Sequence, residues 1–214
     1  MNSIFNPDNP FINFLTKVSN LILLNLIFLL SCIPVITIGA ALSALYSVTL
    51  KTARQEDPYI WRTYWKAFRE NFKQSTLIWL IFIPVIAVII VDFIFLRAQK
   101  GSIFTVLQIA LWGVSLFLFS IFIYIFPIVS HFVCTTKQAF KNAFLMSIAH
   151  LPGTALLLLM YTLIGHLCFR SVKSFAFVFL VADICGISVT ALCASLIFDR
   201  IFKIYEPETR DDNR

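Results

Sequence analysis

Charge is scarce in this sequence. Of its 214 residues only 13% are Asp, Glu, Lys or Arg, while 59% are hydrophobic and the mean hydropathy is +0.87. Soluble globular chains carry ~25% charged residues. A polytopic membrane protein is therefore the class the composition points to, with all of 1–214 as one integral membrane domain. Catalytic signatures are also missing. There is no G-x-S-x-G elbow, no H-E-x-x-H, no P-loop and no pair of carboxylates at helical spacing. An intramembrane protease needs a Ser/His or Asp/Asp pair at matched depth, which one deep aspartate, Asp183, does not supply. The expectation is a protein that is not an enzyme and holds no cofactor.

The five cysteines, Cys32, Cys134, Cys168, Cys185 and Cys193, form no C-x-x-C pair and no Cys/His spacing for zinc. They read as small buried hydrophobes kept reduced, and no metal is expected. The first apolar run is too long for a signal-peptide core, and no A-x-A-like site follows it, so no cleavable signal is expected. The net charge of +6 does not point to nucleic acid, because the basic residues flank apolar runs. There they set topology and meet anionic headgroups.

What is present is a series of apolar runs, at about 18–50, 75–96, 102–130, 151–169 and 174–198. Segment 51–73, segment 131–150 and the tail hold twelve Lys and Arg residues. The two other gaps hold four: Arg97, Lys100, Arg170 and Lys173. The positive-inside rule places the richer set, and the C-terminus, in the cytoplasm. The tail from 205 to 214 is polar and is expected to be disordered.

The first run carries no charge from Val18 to Leu50, although a span needs only ~20 residues. A single crossing gives five spans and a hairpin gives six. The favoured form is one long helix kinked at Pro34, since each arm of a hairpin is short for the bilayer. Gly39, Ser43 and Ser47 recur every four residues, as do Ala182, Gly186, Thr190 and Ala194 in the last run. Small residues at that spacing let helices approach closely. The two faces are expected to meet each other or a second protein, so a homo-oligomer is possible.

Residues 59–74 read YIWRTYWKAFRENFKQ. Trp61, Trp65, Phe68 and Phe72 make an aromatic stripe on a helix, and Arg62, Lys66, Arg69 and Lys73 a basic stripe beside it. Such a helix is expected to lie among anionic lipid headgroups. The pattern [KQ]-A-F-[KR]-x-x-F occurs at 66–72 and again at 138–144, which suggests an internal repeat.

The stretches PVITIGAALSALYSVTLK, YWKAFRENFKQSTLIWLI and AFKNAFLMSIAHLP together resemble the YesL family, most strongly from Phe5 to about Leu80. The resemblance implies a polytopic protein of the bacterial plasma membrane, belonging to a domain of unknown function. It also implies a setting near carbohydrate uptake and degradation, and it assigns no catalytic residue. An amphipathic helix followed by Leu151 and Pro152 is also similar to the coupling loop of sugar permeases, without their E-A-A start. Sugar ABC-transporter subunits or a sensor kinase are thus the partners expected, for an accessory protein.

Ionisable residues inside spans are functional candidates. Asp183 lies about ten residues into the last run, and His166 near the outer end of the fourth. Together they are the candidate intramembrane polar site, and the basis of the alternative reading as a small secondary transporter. Asp92 reads as an ion pair with Arg97. Asn20 and Asn25 read as packing groups.

Overall fold

The computed structural model describes residues 10–56, 58–99, 101–170, 175 and 181–206. Among them the structure is helical throughout, with no strand. The expected all-α transmembrane bundle is what forms. Five helices among the described residues are long and apolar enough to cross a membrane, and a bent pair is a sixth where it crosses as one span.

Helix α1 spans Pro10–Cys32 and α2 spans Ile38–Ala53. Pro34 separates them. It has no N–H to offer and disfavours helical backbone at Ile33, so α1 ends there. A short 3-10 turn, Val35–Thr37, follows. The Thr37 hydroxyl is within hydrogen-bonding distance of two carbonyls at the break, Ser31 O at 2.6 Å and Pro34 O at 2.7 Å. These are acceptors that a continuous helix would have satisfied.

The chain then doubles back. Lys17 and Asn20 of α1 line the same hollow as Thr52 and Gln55 at the far end of α2. The uncharged run is therefore a helical hairpin, not the single kinked helix its length suggested. The arms are unequal. α1 has 23 residues, about 35 Å, because it starts well before the uncharged run. α2 has only 16, about 24 Å. Its shortness is tolerated because ten of those residues are buried among other helices and need not match the bilayer.

Helix α3, Ile60–Ala98, has 39 residues and is about 58 Å long. It joins the aromatic-basic segment and the following apolar run without a break, where the sequence suggested two elements. Gly101, at φ +136, turns the chain into α4, Ser102–His131. The N-terminal half of α4 exposes Ile103, Val106, Ile109 and Trp112. Its C-terminal half, including Tyr124, Ile125, Phe126 and Ile128, is buried.

Helix α5, Thr136–Ala149, opens on a capping box. The Gln138 side chain accepts from the Thr135 N–H at 2.8 Å, and Thr135 caps the Gln138 N–H in return. A bend of 98° leads into α6, Leu151–Arg170, whose first turn holds Pro152 where an N–H is dispensable. A π turn, Ala182–Gly186, runs into α7, Ile187–Phe202. The two repeat motifs share a burial pattern, with Ala67 and Ala139 buried and Phe72 and Phe144 exposed. They differ in context: the first continues straight within α3, and the second ends at the bend.

The small-residue face of α2 packs on α3. A Cβ at Gly39 would run into the Ser75 carbonyl and lie 2.7 Å from the Trp79 Cβ. Ser43 and Ser75 share a hydrogen bond at 2.5 Å, and Trp79 donates to Val35 O at 2.8 Å. Toward α7 the contact uses other residues: Thr49 and Ser195 bond at 2.7 Å, and Ala191 and Ala194 are buried there.

Gly39→Ala is expected to destabilise the bundle by about 1–3 kcal/mol, because the new methyl meets rigid backbone. That outweighs the ~0.5–1 kcal/mol that Ala brings to a helix interior. Gly113→Ala is the control, since nothing lies within 4 Å of its Cβ position. It should melt at or slightly above the wild-type temperature in detergent. Equal melting of the two variants would contradict the α2–α3 contact.

Candidate functional site

The densest group of charges gathers where α2, α4 and α7 end. Arg54, the residue after α2, donates from Nε to Asp199 Oδ1 at 2.8 Å. Its Nη2 donates to Glu206 Oε1. The same oxygen accepts from His131 Nε2 at 2.6 Å, which assigns the proton to that nitrogen. Lys203 holds the second Asp199 oxygen at 2.7 Å. The His131 ring stacks on Phe202, centroids 5.3 Å apart. Beside them the Tyr205 hydroxyl bonds His150 at 3.1 Å.

The sequence explains why these groups converge. Each lies at or just past the end of an apolar helix, where charge can reach the membrane edge. Asp199 sits in the last turn of α7, the wrong end of the helix dipole for an anion. Its carboxylate side chain is only 9% exposed, so it needs Arg54 and Lys203. The hydrogen bond from Arg54 holds the Glu206 carboxyl below the usual carboxylate range. Every charged group here already has its counterpart. The arrangement is a lock between helix ends, not an acid–base pair left open for a substrate.

A second polar element lies across the bundle. Asn25, fully buried on α1, donates from Nδ2 to the carbonyls of Ala182 at 2.8 Å and Asp183 at 2.7 Å. Its Oδ1 accepts from the Ser188 N–H at 3.2 Å. Asn25 thus bonds the π turn from the facing helix. A Cβ on Gly186 would lie 2.9 Å from the Val181 carbonyl, so glycine suits the turn. Asn25 is thus more than a generic packing group.

The predicted polar pair is not joined. Asp183 and His166 are both exposed, and neither side chain has a hydrogen bond or ion pair to another described residue. Asp183 contributes its backbone carbonyl instead. Asp92 and Arg97 are exposed too and form no ion pair, contrary to the expected one. Lys173 lies outside the described residues. Of the other predicted positions, Ser47 is half-buried near Arg54, and the Thr190 hydroxyl bonds its own helix at Ile187 O. Along α3 the aromatic rings lie side by side: Trp61–Trp65, Trp65–Phe68 and Phe68–Phe72 ring centroids are 5.9, 5.4 and 5.5 Å apart. Arg62, Lys66, Arg69 and Lys73 point outward beside them.

The charged lock was missed because its members are scattered along the chain. The one sequence signal was an aspartate in the last turn of an apolar helix. Tyr205 and Glu206, read as the start of a disordered tail, are held by it; 207–214 lie outside the described residues. Among the described residues no three of His, Cys, Asp or Glu converge as metal ligands. Between α3 and α4 a groove of about 560 Å³ opens sideways, walled by Phe82, Ile86, Trp112, Leu116 and Phe122.

Residues 21–93 match the family described as "Protein of unknown function, DUF624". The YesL family is a DUF624 family of membrane proteins, so the match agrees with the resemblance drawn from the sequence. The matched part runs from α1 into α3 and includes Asn25, the hairpin, the Gly39 contact and the aromatic-basic stripe. It leaves out Asp183, Asp199 and Glu206. No curated protein and no solved structure matches the chain.

Asp199→Asn leaves Arg54 with one carboxylate and Lys203 with none. The expected loss is about 1–3 kcal/mol, read as a lower unfolding temperature in detergent. An unchanged temperature would deny the lock a structural role. Acid should open the lock at its Glu206 arm. A carboxyl held low contributes its stability in full above the ordinary ~4.3 and loses it as pH falls through the lower, folded value. Hydrogen exchange at 203–206, corrected for intrinsic rates, should stay slow from neutral pH to the ordinary glutamate range and quicken below it. Fast exchange already at neutral pH would refute the contact.

Proposed function

We propose that this protein is a non-enzymatic accessory of the bacterial plasma membrane, working beside carbohydrate uptake. Its C-terminus and basic stripe face the cytoplasm. The observation that carries the reading is that four hydroxyl pairs bridge helices in the interior, although the buried Tyr64 hydroxyl, Trp65 Nε1 and Thr76 hydroxyl have no partner among the described residues. Ser43 pairs with Ser75, Thr49 with Ser195, Tyr46 with Tyr161 at 2.9 Å, and Tyr124 with Thr154 at 2.9 Å. A carrier for a polar solute needs polar groups at mid-depth that are free to exchange partners. Here four such hydroxyl pairs are joined to each other, and Asp183 and His166 stand on exposed flanks.

The outer halves of α3 and α4 support the same reading. They pack on each other, for example through Phe93 and Trp112 at 4.8 Å, and leave both flanks apolar and open. In a bilayer those flanks are free to meet helices of another membrane protein. The link to carbohydrate rests on the YesL resemblance, which makes sugar ABC-transporter subunits or a sensor kinase the partners to look for.

The test is recovery of tagged protein from native membranes in mild detergent, with mass spectrometry of what accompanies it. Stoichiometric transporter subunits or a kinase are expected. Recovery alone, as monomer or homo-oligomer, together with solute uptake by the purified protein in liposomes that Asp183→Asn abolishes, would replace this reading with the carrier.

A further inference from the structure

At the end of the bundle where α1 begins, α2 ends and α3 starts, there is a hollow of about 740 Å³. That is within the ~300–1,000 Å³ range of ligand sites. Its wall mixes two kinds of side chain. Lys17, Asn20, Thr52 and Gln55 are polar, and Tyr59 and Trp61 are aromatic. Tyr59 and Trp61 are 75% and 55% exposed. Among the described residues the Lys17 ammonium and the Asn20 and Gln55 amides have no hydrogen-bond or ion-pair partner. All three side chains are exposed at the mouth of the hollow.

The second observation is backbone geometry. Gln55 has φ +61, and among the described residues it is the single non-glycine with positive φ. It closes α2 in a Schellman turn: the Glu56 N–H reaches Lys51 O and the Gln55 N–H reaches Thr52 O, each at 3.0 Å. This is the position that glycine fills without strain. A strained residue kept where glycine would fold better points to a use for its side chain. That side chain lines the hollow.

The lining selects the ligand. Lys17 is its one cation, and among the described lining residues there is no carboxylate. Two amides and a hydroxyl suit a ligand with several hydroxyl groups, and flat aromatic faces suit its carbon skeleton. We propose that the hollow binds a polyol phosphate. The phosphate meets Lys17, the ligand hydroxyls meet Asn20, Thr52 and Gln55, and the carbons lie against Trp61 and Tyr59. The source is either the headgroup of a glycerol-bearing phospholipid or a free sugar phosphate. The site stands on its own geometry and does not depend on the accessory reading.

The test titrates the purified full-length protein in neutral detergent with three probes. They are short-chain phosphatidylglycerol, phosphatidylcholine with the same chains, and glycerol phosphate. Tryptophan fluorescence and melting temperature are the readouts. Phosphatidylglycerol should bind saturably and phosphatidylcholine much less. Glycerol phosphate binding as tightly as the lipid would identify a soluble ligand, and its failure alone would identify the headgroup. Lys17→Gln and Gln55→Gly should each weaken binding about tenfold or more, as loss of a bond to a polar or charged group does. Gln55→Gly also relieves the backbone, so without ligand it should melt no lower than wild type. The proposal fails if phosphatidylcholine binds equally and glycerol phosphate does not bind. It fails if both variants bind as wild type does. It fails too if Gln55→Gly melts lower, since Gln55 would then serve the fold.

Discussion

The fold depends on how closely α2 can approach its neighbours. α2 is the short central helix, and α3, α4 and α7 all pack around it. Between helices in lipid there is little hydrophobic gain, so association rests on tight packing and on hydrogen bonds across the contact. α2 supplies both. Gly39, Ala40, Ala41 and Ala44 are buried and small, and between them Ser43 and Thr49 carry short hydroxyls to α3 and α7. Larger side chains there would hold the helices apart and strand those hydroxyls without partners. Tyr46, farther along, is long enough to reach α6. One helix thus fixes the spacing of most of the others.

That central position also explains the hairpin. A short apolar helix cannot match a bilayer by itself, but a helix wrapped in protein need not. The break at Pro34 is kept closed by Thr37, and the break inside the last apolar segment is kept closed by Asn25. In both places a short polar side chain reaches backbone carbonyls at the irregularity: the single Thr37 hydroxyl proton has Ser31 O and Pro34 O within reach, and the Asn25 amide donates to two carbonyls at once. The charged lock at Arg54 applies the same rule at the membrane edge, where full charges are tolerable.

Much of this was legible in the sequence, for identifiable reasons. Composition alone excluded a soluble globule. Four-residue spacing of small side chains marked Gly39 and Ser43 as a close contact, because that spacing means one face of a helix whatever lies opposite. It did not say which helix lies opposite. The face of α2 meets α3 at Ser75, and the face of the last segment is divided between the π turn and α7. The reading of 18–50 as one kinked helix failed because proline both bends helices and ends them. What decides is a tertiary fact, the burial of α2. The lock was invisible because residues 54, 131, 199 and 206 become neighbours only when three helix ends meet. Asp183 stood out in the sequence by its depth, yet its backbone, not its carboxylate, is what the fold uses.

The two ends of the molecule are built to opposite rules, and that contrast bears on function. The end that carries Arg54 is closed, with aromatic packing of Tyr124, Phe198 and Phe202 beneath a lock of matched charges. The opposite ends of α3 and α4 form an open pair of arms with many exposed apolar side chains. A carrier needs a centre that yields and gates that move, so its polar core should be the least committed part. In this protein hydroxyl pairs tie α2 to α3, α6 and α7 and α4 to α6 across the core. The uncommitted surface lies on the lateral flanks, in the groove between α3 and α4 and along the basic stripe. The groove is open to lipid or to another membrane protein, and the basic stripe carries exposed cations.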